Sequence, residues 1–333
     1  YIDMFSIKNI YEVTIMFKYA DYIYEIYKEK SFTKAAENLF ISQPALSATV
    51  KKLEEEMHVK LFDRSANPLE LTLEGEAYIN AVEEIFNIKK NYENFIIDIS
   101  RLNVGNISVS GANFISSYII PKILVPFSKK HPMIDIKLLE SNSKTLKEEL
   151  IRENIDILID YNFDDDAIES YPLFKETILL CVPKHMGVNS ETAACALTGK
   201  DIQKNKHLKN SANKISIEHF KDEKFLMLKS GNSMNYYGLK LCNEAGFVPD
   251  TILYFDQLMT SYNMSASGLG ICFVTDTLVK EVATNDNLLY YKIDSDFAER
   301  TVYLLRKKKR YLNRAVKEFI DVASNVYGEY IRK

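Results

Sequence analysis

The sequence predicts a multidomain α/β protein: a small helix-turn-helix head, a long linker helix and a two-lobed α/β domain. Three observations carry this reading. Residues 20–57 hold three short amphipathic helices, and residues 74–100 continue in one unbroken helical period. Beyond residue 102, apolar strand-like runs alternate with helical stretches, which marks a mostly parallel sheet. At 333 residues the chain is also too long for one ordinary core, since domains run to ~150 residues.

Composition excludes several classes. Hydrophobic residues at 47% and charged residues at 26% rule out a largely disordered chain. No run approaches the ~18 apolar residues of a membrane helix. Asp3 and Glu12 do not fit the basic-then-apolar start of a secretory signal. Residues 1–15 show no clear period and are read as an N-terminal extension, with Met16 as the natural start. Cys181, Cys195, Cys242 and Cys272 are spread without paired spacing, which points to reducing cytosol rather than a disulfide framework. A net charge of -4 gives no global attraction to nucleic acid, so any such function is local.

The first helix opens near Asp21, with Tyr22, Ile23, Ile26 and Tyr27 at helical spacing. Ser31 or Thr33 caps a second helix, Lys34 to Leu39, whose Ala35 and Ala36 allow close approach of another helix. Ser42 caps a third, with Pro44 in the first turn where its missing N–H costs nothing. Leu46, Val50, Leu53 and Met57 form its inward stripe. Its outward face carries Gln43, Pro44, Ser47, Ala48 and Lys51, none of them acidic. Two helices joined by a tight turn, the second with a small polar face, read as a helix-turn-helix whose N-terminal half reaches base edges in the major groove. The alternative is a trihelical head that docks protein.

Ser31-Phe32-Thr33-Lys34-Ala35-Ala36-Glu37-Asn38-Leu39, Ile41-Ser42-Gln43-Pro44-Ala45-Leu46-Ser47, Leu53-Glu54, Leu61-Phe62-Asp63-Arg64 and Leu71-Thr72-Leu73-Glu74-Gly75 resemble, in order and spacing, the DNA-binding domain of LysR-type transcriptional regulators. The resemblance implies a winged helix-turn-helix over residues 16–73, with a winged turn from Val59 to Leu73. It implies double-stranded DNA as partner, Thr33 on phosphate, Ser42, Gln43, Pro44, Ser47 and Lys51 on the reading face, and Arg64 on the backbone or minor groove. Ala48 and Thr49 stand where the family often carries a long polar or basic residue. That shifts specificity toward Gln43, Lys51 and DNA shape.

Residues 74–102 form the linker. Thr72 caps it, and Glu74 and Glu76 suit the positive end of its dipole. Tyr78, Val82, Ile85, Lys89, Tyr92, Ile96 and Ile99 follow in steps of four and three, a coiled-coil seam broken by Lys89 and widened by Ile79 and Phe86. A thin seam on a long helix predicts dimerisation through Tyr78, Val82, Ile85, Tyr92, Ile96 and Ile99, and a two-fold dimer reads an interrupted inverted repeat. The resemblance implies a homodimer or homotetramer.

In the C-terminal part, strands are expected at Gly105–Ser110, Ile134–Leu139, Ile155–Ile159, Thr177–Val182, Phe225–Leu228, Thr251–Phe255, Gly270–Val274 and Thr301–Leu305. Helices are expected at Ser116–Phe127, Thr145–Arg152, Met234–Ala245 and Leu312–Tyr330, and residues 186–218 read as a loop-rich polar insertion. The chain crosses between lobes near Val182-Pro183 and returns near Leu278 to Val282. Lobe 1 is then 103–182 with 279–333, and lobe 2 is 183–278. Glu140-Ser141-Asn142-Ser143, Asp156-Ile157-Leu158-Ile159, Pro172-Leu173-Phe174, Ala245-Gly246-Phe247-Val248-Pro249 and Gly268-Leu269-Gly270-Ile271 resemble LysR-type effector domains, which implies a periplasmic-binding-protein-like fold. Ligands in open α/β sheets sit beyond the carboxyl ends of strands, where helix N-termini offer N–H groups. That selects Ala112, Asn113, Ser116, Asn142, Ser143, Ser230, Gly231, Asn232 and Ser233 for a small, anionic organic effector.

Catalytic patterns are not found. GxGxxG, GxxxxGK[ST] and GxSxG do not occur, and no nucleophile or acid–base pair emerges, so no enzyme activity, cofactor or metal is expected. Cys181 and His185 on a strand end share no face, and Asp164-Asp165-Asp166 reads as a solvated loop. Cys195, in the polar insertion, is a candidate redox-sensing thiol. The expectation is a cytoplasmic, effector-responsive, sequence-specific DNA-binding regulator.

Overall fold

A computed structural model describes residues 16–66, 68–99, 105–161 and 165–328. It divides into two compact units at Glu93/Asn94.

The first unit contains helices α1 (Ala20–Glu29), α2 (Phe32–Asn38) and α3 (Gln43–Met57), an antiparallel ribbon of β1 (Phe62–Asp63) and β2 (Glu70–Leu71), and the start of α4 (Leu73–Ile99). The Ser31 and Ser42 hydroxyls accept the Lys34 and Ala45 N–H groups, each at 3.4 Å, and so start α2 and α3. The turn between these helices places Phe40 in the left-handed region at φ 56°, almost wholly exposed. Ile23, Ile26, Ala35, Ala36, Leu46, Val50, Leu53 and Leu61 make the core.

That core also takes Tyr78, Ile79 and Val82 from α4. Tyr78 and Val82 were expected on the partner-facing seam, yet they are 5% and 0% exposed against their own head. Three short helices enclose too little apolar volume alone, and the first turns of α4 close the gap. Gly75 permits this approach, since a Cβ there would lie 2.0 Å from the Leu61 carbonyl oxygen. The exposed stripe begins later and runs Ile85, Ile88, Tyr92, Phe95 and Ile96. The Ile99 side chain lies outside the described residues.

The second unit is built on two sheets that share one strand. β3 (Gly105–Gly111), α5 (Asn113–Tyr118), α6 (Ile120–Lys130), β4 (Ile134–Glu140), α7 (Ser143–Ile151) and β5 (Ile157–Tyr161) open lobe 1. β6 (Ile168–Pro183) then runs through both lobes. In lobe 2 follow α8 (Val188–Glu191), β7 (Ala196–Leu197), α9 (Gly199–Gln203), β8 (Lys224–Leu228), α10 (Ser233–Glu244), β9 (Asp250–Phe255), α11 (Leu258–Ala266), β10 (Ile271–Thr275), α12 (Asp276–Glu281) and β11 (Leu288–Lys292). β12 (Glu299–Lys307) and α13 (Arg314–Tyr327) return to lobe 1. The lobe 1 sheet reads β4-β3-β5-β12-β6, and the lobe 2 sheet reads β6-β10-β8-β9, with β11 also on β6.

The pairings correct the expected crossings. Residues 168–177 of β6 pair with β12, and residues 178–183 pair with β10 or β11. The outward switch is therefore at Thr177/Ile178, not Val182-Pro183. The return lies between Lys292 and Glu299, so α12 and β11 belong to lobe 2 rather than lobe 1. Charged Glu169, Lys175 and Glu176 masked the first half of β6 in the sequence, leaving only its apolar second half visible. At the switch, Asp276 accepts hydrogen bonds from the Thr177 N–H (2.8 Å) and Lys280 Nζ (2.6 Å), and its carboxylate lies 3.0 Å from His207 Nε2. Burial alone would push this carboxyl up, but those partners hold it below its ordinary value.

The polar insertion at 186–218 is packed rather than loose, with Ile202, His207, Ile215 and Ile217 buried. The single helix expected at 116–127 is two, because the chain turns at Ile119 and restarts with Pro121 in the first turn of α6. Among the described residues no helix is long and apolar enough to cross a membrane.

Candidate functional site

In the head, Ser42 is exposed at the cap of α3, Gln43, Pro44, Ala48 and Lys51 are exposed on α3, Ser47 is half-buried, and Thr33 is exposed on α2. Their spacing in steps of four places Gln43, Ser47 and Lys51 along one row of α3, beside the buried stripe of Leu46, Val50 and Leu53. Lys51 lies 3.8 Å from Glu55, a solvent-exposed pair that a polyanion can displace. The Thr49 hydroxyl donates to the Ala45 carbonyl at 2.9 Å.

Arg64 has a second occupation beside the expected phosphate contact. Its Nη2 lies 3.2 Å from Glu54 Oε2, and its guanidinium stands 5.2 Å from the Phe32 ring centroid. Glu54 is buried and also accepts hydrogen bonds from the Leu61 N–H (2.9 Å) and Lys60 Nζ (3.4 Å). One carboxylate thus ties α3 to the ribbon. Glu54→Ala strands the Leu61 N–H and is expected to cost the head about 1–3 kcal/mol, read by urea unfolding. A loss inside experimental error would show that the tie is not needed.

In the second unit a cleft of about 340 Å³ opens between the lobes. Lobe 1 supplies Ala112, Asn113, Glu140, Asn142, Tyr161 and Arg300. Lobe 2 supplies Asn232, Ser233, Met234, Asp256 and Gln257. Two helix starts meet there. Asn142 Oδ1 accepts the Thr145 N–H (3.0 Å) at the head of α7, and Asn232 Oδ1 accepts the Met234 N–H (3.0 Å) at the head of α10. A larger cavity of about 850 Å³ adjoins it, lined by Ser143, Lys144, Lys147, Ser230, Gly231 and Lys240. Tyr161, Asn232 and Ser233 line both.

The expected ligand residues therefore divide. Ala112, Asn113, Asn142, Asn232 and Ser233 face the first cleft, while Ser143, Ser230 and Gly231 face the second. Ser116 faces neither: it is buried, and its hydroxyl donates to the Gly111 carbonyl at 2.9 Å. The Ser143 hydroxyl is 3.3 Å from buried Asp160, whose carboxyl burial pushes up. Tyr161 and Arg300 were missed by sequence reading. Burial pushes the Tyr161 phenol well above its ordinary value, so it presents a neutral ring. Cys195 is half-buried, with its sulfur 3.8 Å from the Lys214 carbonyl oxygen.

A helix-turn-helix head joined through a long helix to a two-lobed ligand-binding domain defines a transcriptional regulator. Residues 17–76 match the family described as "Bacterial regulatory helix-turn-helix protein, lysR family", and residues 100–327 match "LysR substrate binding domain". The chain belongs to the LysR family of DNA-binding transcriptional regulators. It is 27% identical over 312 residues to the uncharacterised HTH-type transcriptional regulator YcgK of Bacillus subtilis, covering 92% of this chain and 93% of that one. It is 24% identical over 310 residues to the DNA-binding transcriptional dual regulator OxyR of Escherichia coli, covering 90% and 94%. Among solved structures it resembles a full-length OxyR variant from Pseudomonas aeruginosa (TM-score 0.66, 22% identity, 93% and 95% covered). It also resembles full-length CbnR complexed with its target DNA (TM-score 0.61, 16% identity, 93% and 99% covered).

Proposed function

We propose that this regulator acts in the cytoplasm as a dimer or tetramer, reads an interrupted inverted repeat, and changes its hold on DNA when a small organic effector fills the cleft between its lobes. It is read as a regulator without catalytic activity of its own. Thr33, Ser42, Gln43, Pro44, Ser47 and Lys51 form the reading surface, and Arg64 divides its charge between Glu54 and phosphate. Ile85, Ile88, Tyr92 and Ile96 supply the dimer seam. The observation that carries the effector reading is the cleft itself, where capped helix starts from both lobes converge on one cavity. An effector acts there by binding one arrangement of the lobes better than another.

Recovery of sheared genomic DNA on the purified protein, sequenced at two salt concentrations, tests the reading. The expected result is enrichment of an inverted repeat, with binding that weakens steeply as salt rises. Recovery of no sequence above background at low salt would refute it and favour a protein-docking head.

A further inference from the structure

Arg300 is only 7% exposed, yet it lines the cleft. It is the second residue of β12, next to the return crossing, and its register partner is Glu176 on β6, one residue before the outward switch. Arg300 Nε donates to Glu176 Oε1 at 2.7 Å, and Nη2 lies 2.7 Å from the same oxygen. Glu176 therefore occupies the side-on edge of the guanidinium. At the other edge, buried Nη1 has no hydrogen-bond partner among the described residues. A guanidinium nitrogen buried without a partner carries a desolvation cost that a bound acceptor removes. The plane is fixed from both lobes, since its carbon lies 3.4 Å from the Tyr161 ring centroid and 5.0 Å from that of Tyr237 on α10.

We propose that the unpartnered edge of Arg300 is the cleft's receptor for a carboxylate, which makes the effector a small organic acid and Arg300 its specificity-determining residue. The inference rests on the reading of the cleft as an effector site and names the chemistry that site selects. A planar carboxylate matches the paired N–H groups of that edge in a bidentate geometry. A neutral amide presents only one acceptor and turns two protons of its own toward the cation. The remaining lining suits the body of such a molecule: Phe114, Ile115, Leu228 and Leu258 offer apolar surface, while Glu140 and Gln257 suit a hydroxyl or ammonium group. Glu176 and Arg300 sit on the two crossing strands, so a ligand on Arg300 acts directly on the strands that join the lobes.

The test is calorimetric titration of the full chain with benzoate, phenylacetate and succinate, with the matching amides, and with inorganic phosphate. Carboxylates are expected to bind the unaltered protein at least about tenfold more tightly than their amides. Arg300→Gln is expected to abolish that preference. Glu176→Gln keeps an acceptor for Nε but removes the counter-charge, and is expected to tighten carboxylate binding about tenfold. A merely misfolded variant would only weaken it, so the opposite sign protects the proposal. Equal binding of acids and amides, no binding of any acid, a preference for phosphate, or unchanged binding in both variants would each overturn it. Asn113→Trp, which plugs the cleft from the start of α5 and leaves Arg300 itself unchanged, separates the two claims. Acid binding lost in Asn113→Trp but kept in Arg300→Gln overturns the role of Arg300 and leaves the cleft standing. Acid binding kept in both removes the cleft as well.

Discussion

Asp156→Ala is expected to cost the ligand-binding unit about 3–5 kcal/mol, the loss typical of stripping one partner from a buried ion pair. Asp156 accepts the Ser108 N–H (2.7 Å) and the Ser108 hydroxyl (2.6 Å), so it joins β5 to β3. Its other oxygen contacts the guanidinium of Arg310, which is itself buried between β12 and α13. Arg310 Nη1 also donates to the Glu153 and Ile155 carbonyls, each at 2.6 Å. Alanine at 156 leaves a buried cation with two carbonyl dipoles and no counter-charge, and leaves the Ser108 N–H without its acceptor. Urea unfolding followed by far-UV circular dichroism measures the loss. The double variant Asp156→Ala/Arg310→Met is expected to recover part of it, because the stranded charge is then gone. A single variant within about 0.5 kcal/mol of the parent, the range of an ordinary surface change, would mean the pair contributes nothing.

This pair also shows what the sequence can convey. Asp156-Ile157-Leu158-Ile159 is legible as a buried strand behind an acid, because burial of both faces writes a continuous apolar run. That the acid answers Arg310 is not legible, since the two meet only after β12 has paired with β5. The same limit governs the cleft. Asn113, Asn142, Asn232 and Ser233 were found because strand ends followed by helix caps are local signals. Arg300 and Tyr161 were not, because their place depends on a register that joins Arg300 to Glu176, 124 residues earlier. In the head, local rules sufficed for the Ser31 and Ser42 caps and for the Leu46, Val50 and Leu53 stripe. They failed on Tyr78 and Val82, because a heptad period says that a face is covered and not by what.

The largest functional effect is expected from Ile88→Glu. Ile88 is 68% exposed and its neighbour on the stripe, Tyr92, is 64% exposed, so neither is needed by the head's own core. Together with Ile85 they repeat at intervals of three and four, the spacing by which one helix presents a seam to another. Lys89 and Glu84 flank this stripe and set its edge. Within one chain the glutamate meets water and is expected to change unfolding stability by less than about 0.5 kcal/mol. Across a two-fold seam it would face its own copy, so that two like charges are desolvated against each other. Sedimentation should then show a monomer where the parent sediments as a dimer. Affinity for DNA bearing both half-sites should fall at least about a hundredfold, since binding of the second head is no longer intramolecular. Affinity for a single half-site should stay at the parent's value, because Gln43, Ser47 and Lys51 are untouched. An unaltered dimer would move the subunit interface away from α4. A fall on single half-sites as large as that on the pair would mean that Ile88 supports the head rather than its partner.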